Sequence, residues 1–194
     1  MIQYPRAVIR TFMLAAALAA GAPAALASGP APTKQQQQHE IQYLELVADH
    51  HALGVLMAEL CEERAASPEL EALCAKAAAD QTKEIEMVVS WLKGWYGIDY
   101  QPDPDGTGRL NRLAGLEGPA FDVEFSEEFI KHHARIIRAS AQELGFLYHP
   151  EAEALATHII EAQSMQIEAL REIIESYGVT PPPGLDVPNL PKSR

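Results

Sequence analysis

LELVADHHALGVLMAELC, residues 44–61, decides how this chain folds. Leu44, Val47, His51, Gly54, Ala58 and Cys61 recur at three-to-four spacing, the period of a helix with one buried face. Two adjacent histidines interrupt that stripe. Neighbouring helical positions diverge by about 100°, so both rings cannot point the same way. His51 falls on the apolar stripe, and His50 falls at its margin, toward a neighbouring helix.

The same pattern returns downstream as KHHARI, residues 131–136. Shifting residues 40–96 by 82 positions aligns them with 122–178 without a gap, and 12 positions are identical. His50 and His51 fall on His132 and His133, Pro68-Glu69 on Pro150-Glu151, and Gln81, Ile85 and Glu86 on Gln163, Ile167 and Glu168. This is an internal duplication of a helical hairpin. The first copy, 39–97, reads as a helix from about His39 to Ala66, then a second from Pro68 to about Trp95 after a Ser67-Pro68 start signal. The second copy, 121–178, reads as a helix from near Asp122 or Ser126, the YHPEAE turn, and a last helix ending near Tyr177. Residues 98–120 are a Pro/Gly/Asp-rich connection, and DPDGTG at 103–108 reads as a turn. No stretch carries a strand signal. Two hairpins with matching apolar faces and a long crossover predict an all-α four-helix bundle over 39–178, with both doublets at one depth.

The ends are of a different kind. Residues 1–27 carry Arg6 and Arg10, then an uncharged apolar run ending in Ala25-Leu26-Ala27, the layout of a secretory signal peptide. A retained anchor is the competing reading, but the run is short and rich in Ala, Gly and Pro. No later run is long enough to span a membrane, so the expectation is a periplasmic or secreted protein. Residues 28–38 read as a flexible linker and 179–194 as a proline-rich tail. Losing Arg6 and Arg10 would take the net charge from −12 to −14. Such a chain does not attract nucleic acid phosphates. Cys61 and Cys74, the two cysteines of the chain, flank the first hairpin turn. They read as a disulfide or as two buried thiols, and export favours the disulfide.

A buried imidazole needs partners. Gln81 and Glu84, with Gln163 and Gln166, are the inward polar residues of the partner helices, placed to orient the rings or to bind metal themselves. Imidazole with carboxylate suits copper(II), zinc, nickel or iron. Met57 and Met87 are candidate thioether ligands, with core filling as their plainer role. His39, His149 and His158 are single and read as exposed or capping. No histidine follows a glutamate at the Glu-x-x-His spacing of a di-iron bundle. His-Glu-x-x-His, a phosphate loop and a nucleophile elbow are also absent, and nothing points to an enzyme.

FDVEFSEEFIKHHARIIRAS and PELEALCAKAAADQTKEIEMVVSWL resemble the signature of the domain-of-unknown-function 305 family, in its His-His doublet and its Gln-x-x-Glu-Ile second helix. The resemblance covers about residues 40–178. It implies a ferritin-like four-helix bundle exported by bacteria, akin to CopM-like periplasmic proteins that handle copper. Carried over, it offers His50, His51, His132, His133, Glu84, Met57 and Met87 as metal ligands, with Gln81, Gln163 and Gln166 behind them. The chain departs from the pattern where methionines would stand at Val47, Phe129 and Ala139, and Glu84 is answered by Gln166. Two functions therefore stay open. One is a copper buffer or carrier, with zinc as the alternative ion; the other is a non-catalytic envelope module whose metal site has decayed. Neither names a protein partner.

Overall fold

Thr33 starts the helical part of the chain. Its hydroxyl accepts from Gln36 N at 3.2 Å while the Gln36 side chain accepts from Thr33 N at 2.9 Å. This reciprocal capping box precedes four glutamines, good helix formers, and sets the start of α1 (Lys34–Arg64) upstream of His39. Residues 34–38, expected to be linker, are therefore helical. The structure is a computed structural model describing residues 31–104 and 106–184. The expected signal peptide, 1–27, and residues 185–194 of the expected tail lie outside the described residues.

Four further helices follow, α2 (Pro68–Tyr96), α3 (Gly108–Leu113), α4 (Gly118–Glu143) and α5 (Pro150–Ser176), and no strand occurs among the described residues. Ser67 caps α2 through Leu70 N at 3.1 Å, with Pro68 at its first turn. Gly97, at φ 70°, ends it in the left-handed conformation that glycine adopts without strain. The connection 98–120 holds α3, which the periodicity did not predict, and the first residues of α4, which starts at Gly118 with Pro119 in its first turn rather than near Asp122 or Ser126. α3 is only six residues long, too short to show a period, but it drives Leu113 fully into the core.

α1 packs along α2 and α4 along α5. The two hairpins then meet through α1 on α4 and α2 on α5. Cys61 and Cys74 are disulfide-bonded across the neck of the first hairpin, with Cα atoms 6.1 Å apart. Two apolar clusters form. One gathers Leu53, Met57, Phe121, Phe125, Phe129 and Leu170. The other gathers Tyr43, Val47, Val88, Leu92, Ile136 and Leu155. Toward the middle of each long helix stand further buried polar residues: His51 on α1, Gln81 and Glu84 on α2, His132 and His133 on α4, and Gln163 on α5.

Two buried carboxylates tie the hairpins together. Glu40 on α1 accepts from the backbone N–H of Tyr148 at 2.6 Å and of His149 at 2.8 Å. It also takes the Tyr96 hydroxyl and the His149 ring, each at 2.5 Å. Asp122 on α4 accepts from Ala66 N and Ser67 N, both at 2.8 Å, and from the Tyr177 hydroxyl at 2.7 Å. Each carboxylate thus serves the otherwise unpaired N–H groups at the start of the other hairpin's second helix, where negative charge is also favoured. Glu40 and Asp122 are equivalent positions under the 82-residue shift. Removing either would strand several buried donors, at a cost of about 3 kcal/mol. Glu40→Ala and Asp122→Ala should each lower the unfolding free energy by about that amount in urea titrations. A loss below about 0.5 kcal/mol for both would show that the clamps do not matter, since that is the range of ordinary surface changes.

Candidate metal centre

His51 sits on the α1 stripe facing α2. Its Nε2 lies 2.8 Å from Glu84 Oε2, yet off the direction a ring N–H would need for a hydrogen bond. His133, at the equivalent place on α4, rests on the Phe129 ring at 4.2 Å and against the side chain of Gln166 from α5. His50 and His132 form a second arrangement. Their rings stack at 3.8 Å with planes 10° apart, and Phe129 continues the stack beneath His132 at 5.6 Å. His50 keeps partial exposure, whereas His132, expected at the margin of its helix, has none. The physical reason is the first hairpin: α1 covers the flank of α4 that a lone helix would leave open, with the His50 ring stacked on that of His132.

Gly54 makes this packing possible. A Cβ on it would stand 2.0 Å from Gln81 Oε1 and 2.9 Å from His132 Nε2. The missing side chain lets the Gln81 amide and the His132 ring press against the α1 backbone. Gln81 is 2% exposed, and neither its oxygen nor its nitrogen has a hydrogen-bond partner in the protein.

Burial keeps His50, His132 and His133 uncharged. Desolvation, joined by the field of His51, His133 and two arginines, lowers the His50 pKa to about 2. Desolvation and His51 lower that of His133 to about 3, against a small opposing effect of Gln166. His132 is also held well below the ordinary range, first by desolvation and then by its histidine neighbours. Both ring nitrogens of His51, His132 and His133 lack a hydrogen-bond partner, as do Nε2 of His50 and the side-chain oxygens of Gln163 and Gln166. Neutral imidazoles with free lone pairs are the form that binds metal. Among the described residues no three histidine, cysteine or acidic side chains converge closely enough to chelate one ion as they stand.

The two pairs face different surroundings. His50 and His132 line a cleft of about 560 Å³ between α1, α4 and the crossover, together with Arg109, Arg135, Asp49 and Asp103. Asp49 is occupied there, accepting from the Tyr100 hydroxyl and Asp103 N at 2.8 Å each. His51 and His133 face the partner helices instead. Of the thioethers, Met57 is fully buried in the core cluster of Leu53 and Phe125, whereas Met87 is 36% exposed and Met165 is 69% exposed. Met87 thus lies at the solvent-facing edge of α2, one turn beyond Glu84.

Sequence reading missed four contributors. Glu40 carried no sequence signal of its own and Asp122 read only as a helix start, although their equivalence under the shift was a usable signal. Arg109 reaches the cleft from α3. His149, read as exposed or capping, bonds Glu40 and stacks on Trp95 at 3.8 Å. His158 is exposed as expected, but its Nε2 stands 3.6 Å from Glu84 Oε1. His39 pairs with Glu143 at 2.5 Å on the surface.

An all-helical fold that buries paired histidines among apolar clusters defines the class. Within it the chain belongs to the DUF305 family, a domain of unknown function, whose family model matches residues 40–174. The fold is similar to that of CopM in its Cu(I)-bound form, with TM-score 0.65 and 25% identity over 71% of this chain and 96% of that one. CopM in the Cu(II)-bound form gives TM-score 0.63 and 26% identity over 71% and 97%. A DUF305 protein from Streptomyces coelicolor shares the fold at TM-score 0.66 and 18% identity, over 72% and 94%. No curated protein sequence matches the chain.

Two outcomes follow for the metal-free chain. Gly→Ala inside a helix ordinarily gains about 0.5–1 kcal/mol. Gly54→Ala should instead lose stability, because the Gln81 amide must leave its buried place, and Gly54→Ala/Gln81→Ala should recover it. Thermal melts decide this, and a stabilised single variant would contradict the packing. The unfolded chain's imidazoles protonate near pH 6.5 while the buried rings stay neutral. Stability is therefore fully present above that pH and falls as pH drops toward the folded-state values, by about 1 kcal/mol per pH unit for each such histidine. Urea titrations between pH 7 and 5 should show this slope, and His133→Gln should flatten it.

Proposed function

We propose that this chain is an exported copper-binding protein, a periplasmic buffer or carrier rather than an enzyme. Its fold is read as a ferritin-like four-helix bundle of two duplicated hairpins. The observation that carries the reading is the set of buried histidine nitrogens on α1 and α4 without hydrogen-bond partners, met by Glu84 and by glutamines of α2 and α5. Each buried polar group left without a partner costs about 1–3 kcal/mol, and a bound cation would occupy those lone pairs. The similarity to CopM in its Cu(I)-bound and Cu(II)-bound forms supports copper as the ion.

His51 and His133 are the central ligands in this reading, with Glu84 beside His51 and Gln166 beside His133. Gln81 and Gln163 orient the rings. His50 and His132 form the outer pair. Met57 is the methionine whose burial allows it to join; Met87 is set aside because of its exposure. A donor set of imidazole and carboxylate with little thioether favours copper(II), with zinc as the competing ion.

The absence of a converged three-ligand cluster favours a second reading, an envelope module in which the layer only fixes helix register. Titration of residues 28–194 with copper(II), copper(I) and zinc separates the two. The copper reading expects saturable binding that stabilises the fold by about 2.7 kcal/mol at a hundredfold excess over Kd. It also expects that binding to be lost in His51→Ala/His133→Ala while the helical circular dichroism survives. Unchanged affinity in that double variant, or no saturable binding in the parent, would overturn it.

A further inference from the structure

Glu84 touches two histidines, and the second lies outside the buried layer. One oxygen, Oε2, is 2.8 Å from His51 Nε2 in the interior. The other, Oε1, is 3.6 Å from Nε2 of His158, whose side chain is 63% exposed on α5. A separation of 3.6 Å is too long for a hydrogen bond. It is close to the edge between two ligands of one ion: donors about 2.1 Å from a four-coordinate cation stand about 3.4 Å apart. We infer that Glu84 Oε1 and His158 Nε2 form an outer, solvent-completed site for a divalent cation such as Cu(II) or Zn(II), through which the ion passes to His51 across the Glu84 carboxylate.

Three further features choose this face of the molecule. Glu84 itself is nearly buried, with 12% of its side chain exposed. It therefore spans the step from water to the interior, and a shift of the ion from one carboxylate oxygen to the other completes the transfer. The equivalent pair under the 82-residue shift is Gln166 with Lys76. Gln166 is a neutral amide and Lys76 an ammonium group paired with Asp80, so the pairing of a carboxylate with an exposed imidazole stands on one side of the two-hairpin frame. The remaining approach, past His50 and His132, carries Arg109 and Arg135 beside Asp49 and Asp103, so its charges balance, and Asp49 is already taken by the Tyr100 hydroxyl and Asp103 N.

The inference rests on the copper reading, and its test separates the two. Cu(II) association with the whole domain can be followed by stopped-flow quenching of the Trp91 and Trp95 fluorescence. His158→Ala should slow association and dissociation together by about tenfold and leave the equilibrium affinity within about twofold, because an entrance lowers a barrier without changing the end state. An unchanged rate overturns the entrance. So does faster dissociation alone, which would make His158 a resident ligand. Arg109→Gln/Arg135→Gln should leave the rate unchanged, and acceleration there would place the entrance at the cleft. In His51→Ala/His133→Ala, substoichiometric Cu(II) should still broaden the His158 ring NMR signals, and a sharp His158 resonance would overturn the outer site. Retention of full affinity in that double variant sinks the copper reading instead.

Discussion

Glu40 and Asp122 set the register on which the rest depends. Each carboxylate is buried and reaches from the first helix of one hairpin to the opening N–H groups of the second helix of the other. Apolar helix faces slide at little cost, but a buried carboxylate with several donors does not. The two clamps therefore fix how far α1 lies along α5 and α4 along α2. That in turn lets His132 of one hairpin meet His50 of the other and brings Glu84 on α2 within reach of His158 on α5.

Between the clamps the interior changes character. Apolar clusters occupy both ends, and a layer of imidazoles and amides stands toward the middle of the long helices. Such a layer is costly in an interior of low dielectric. His50, His132 and His133 respond by staying neutral, with pKa values pushed down to about 2 for His50 and about 3 for His133. Neutrality removes the charge penalty but leaves lone pairs without partners. This is the tension that a bound cation would relieve, and it gives the doublets a chemical meaning beyond packing.

The two halves are alike in frame and different in chemistry. Gln166 answers Glu84, and Lys76 answers His158, so carboxylate and exposed imidazole lie together on one face only. The four histidines divide in the same spirit. His51 and His133 face partner helices, while His50 and His132 stack at the floor of a cleft edged by arginines. In the proposed copper reading, the scarcity of buried thioether inclines the donor set toward imidazole and carboxylate.

The sequence by itself determined the helices, the inward stripes and the polar positions at equivalent depth. Helical period and capping chemistry are local, so Leu44, Val47 and Gly54 declare their face without reference to the rest of the chain. Even the early start of α1 follows from Thr33 and Gln36, three residues apart. Tertiary structure alone decided what each polar side chain meets. His132 became fully buried because α1 lies across it, and Gly54 gained its purpose from a glutamine on α2. Arg109 reached the cleft on a helix too short to show a period. Glu84 came to stand between His51 and His158, residues 107 positions apart in the chain. Those pairings depend on distances between helices, which no spacing along one helix encodes.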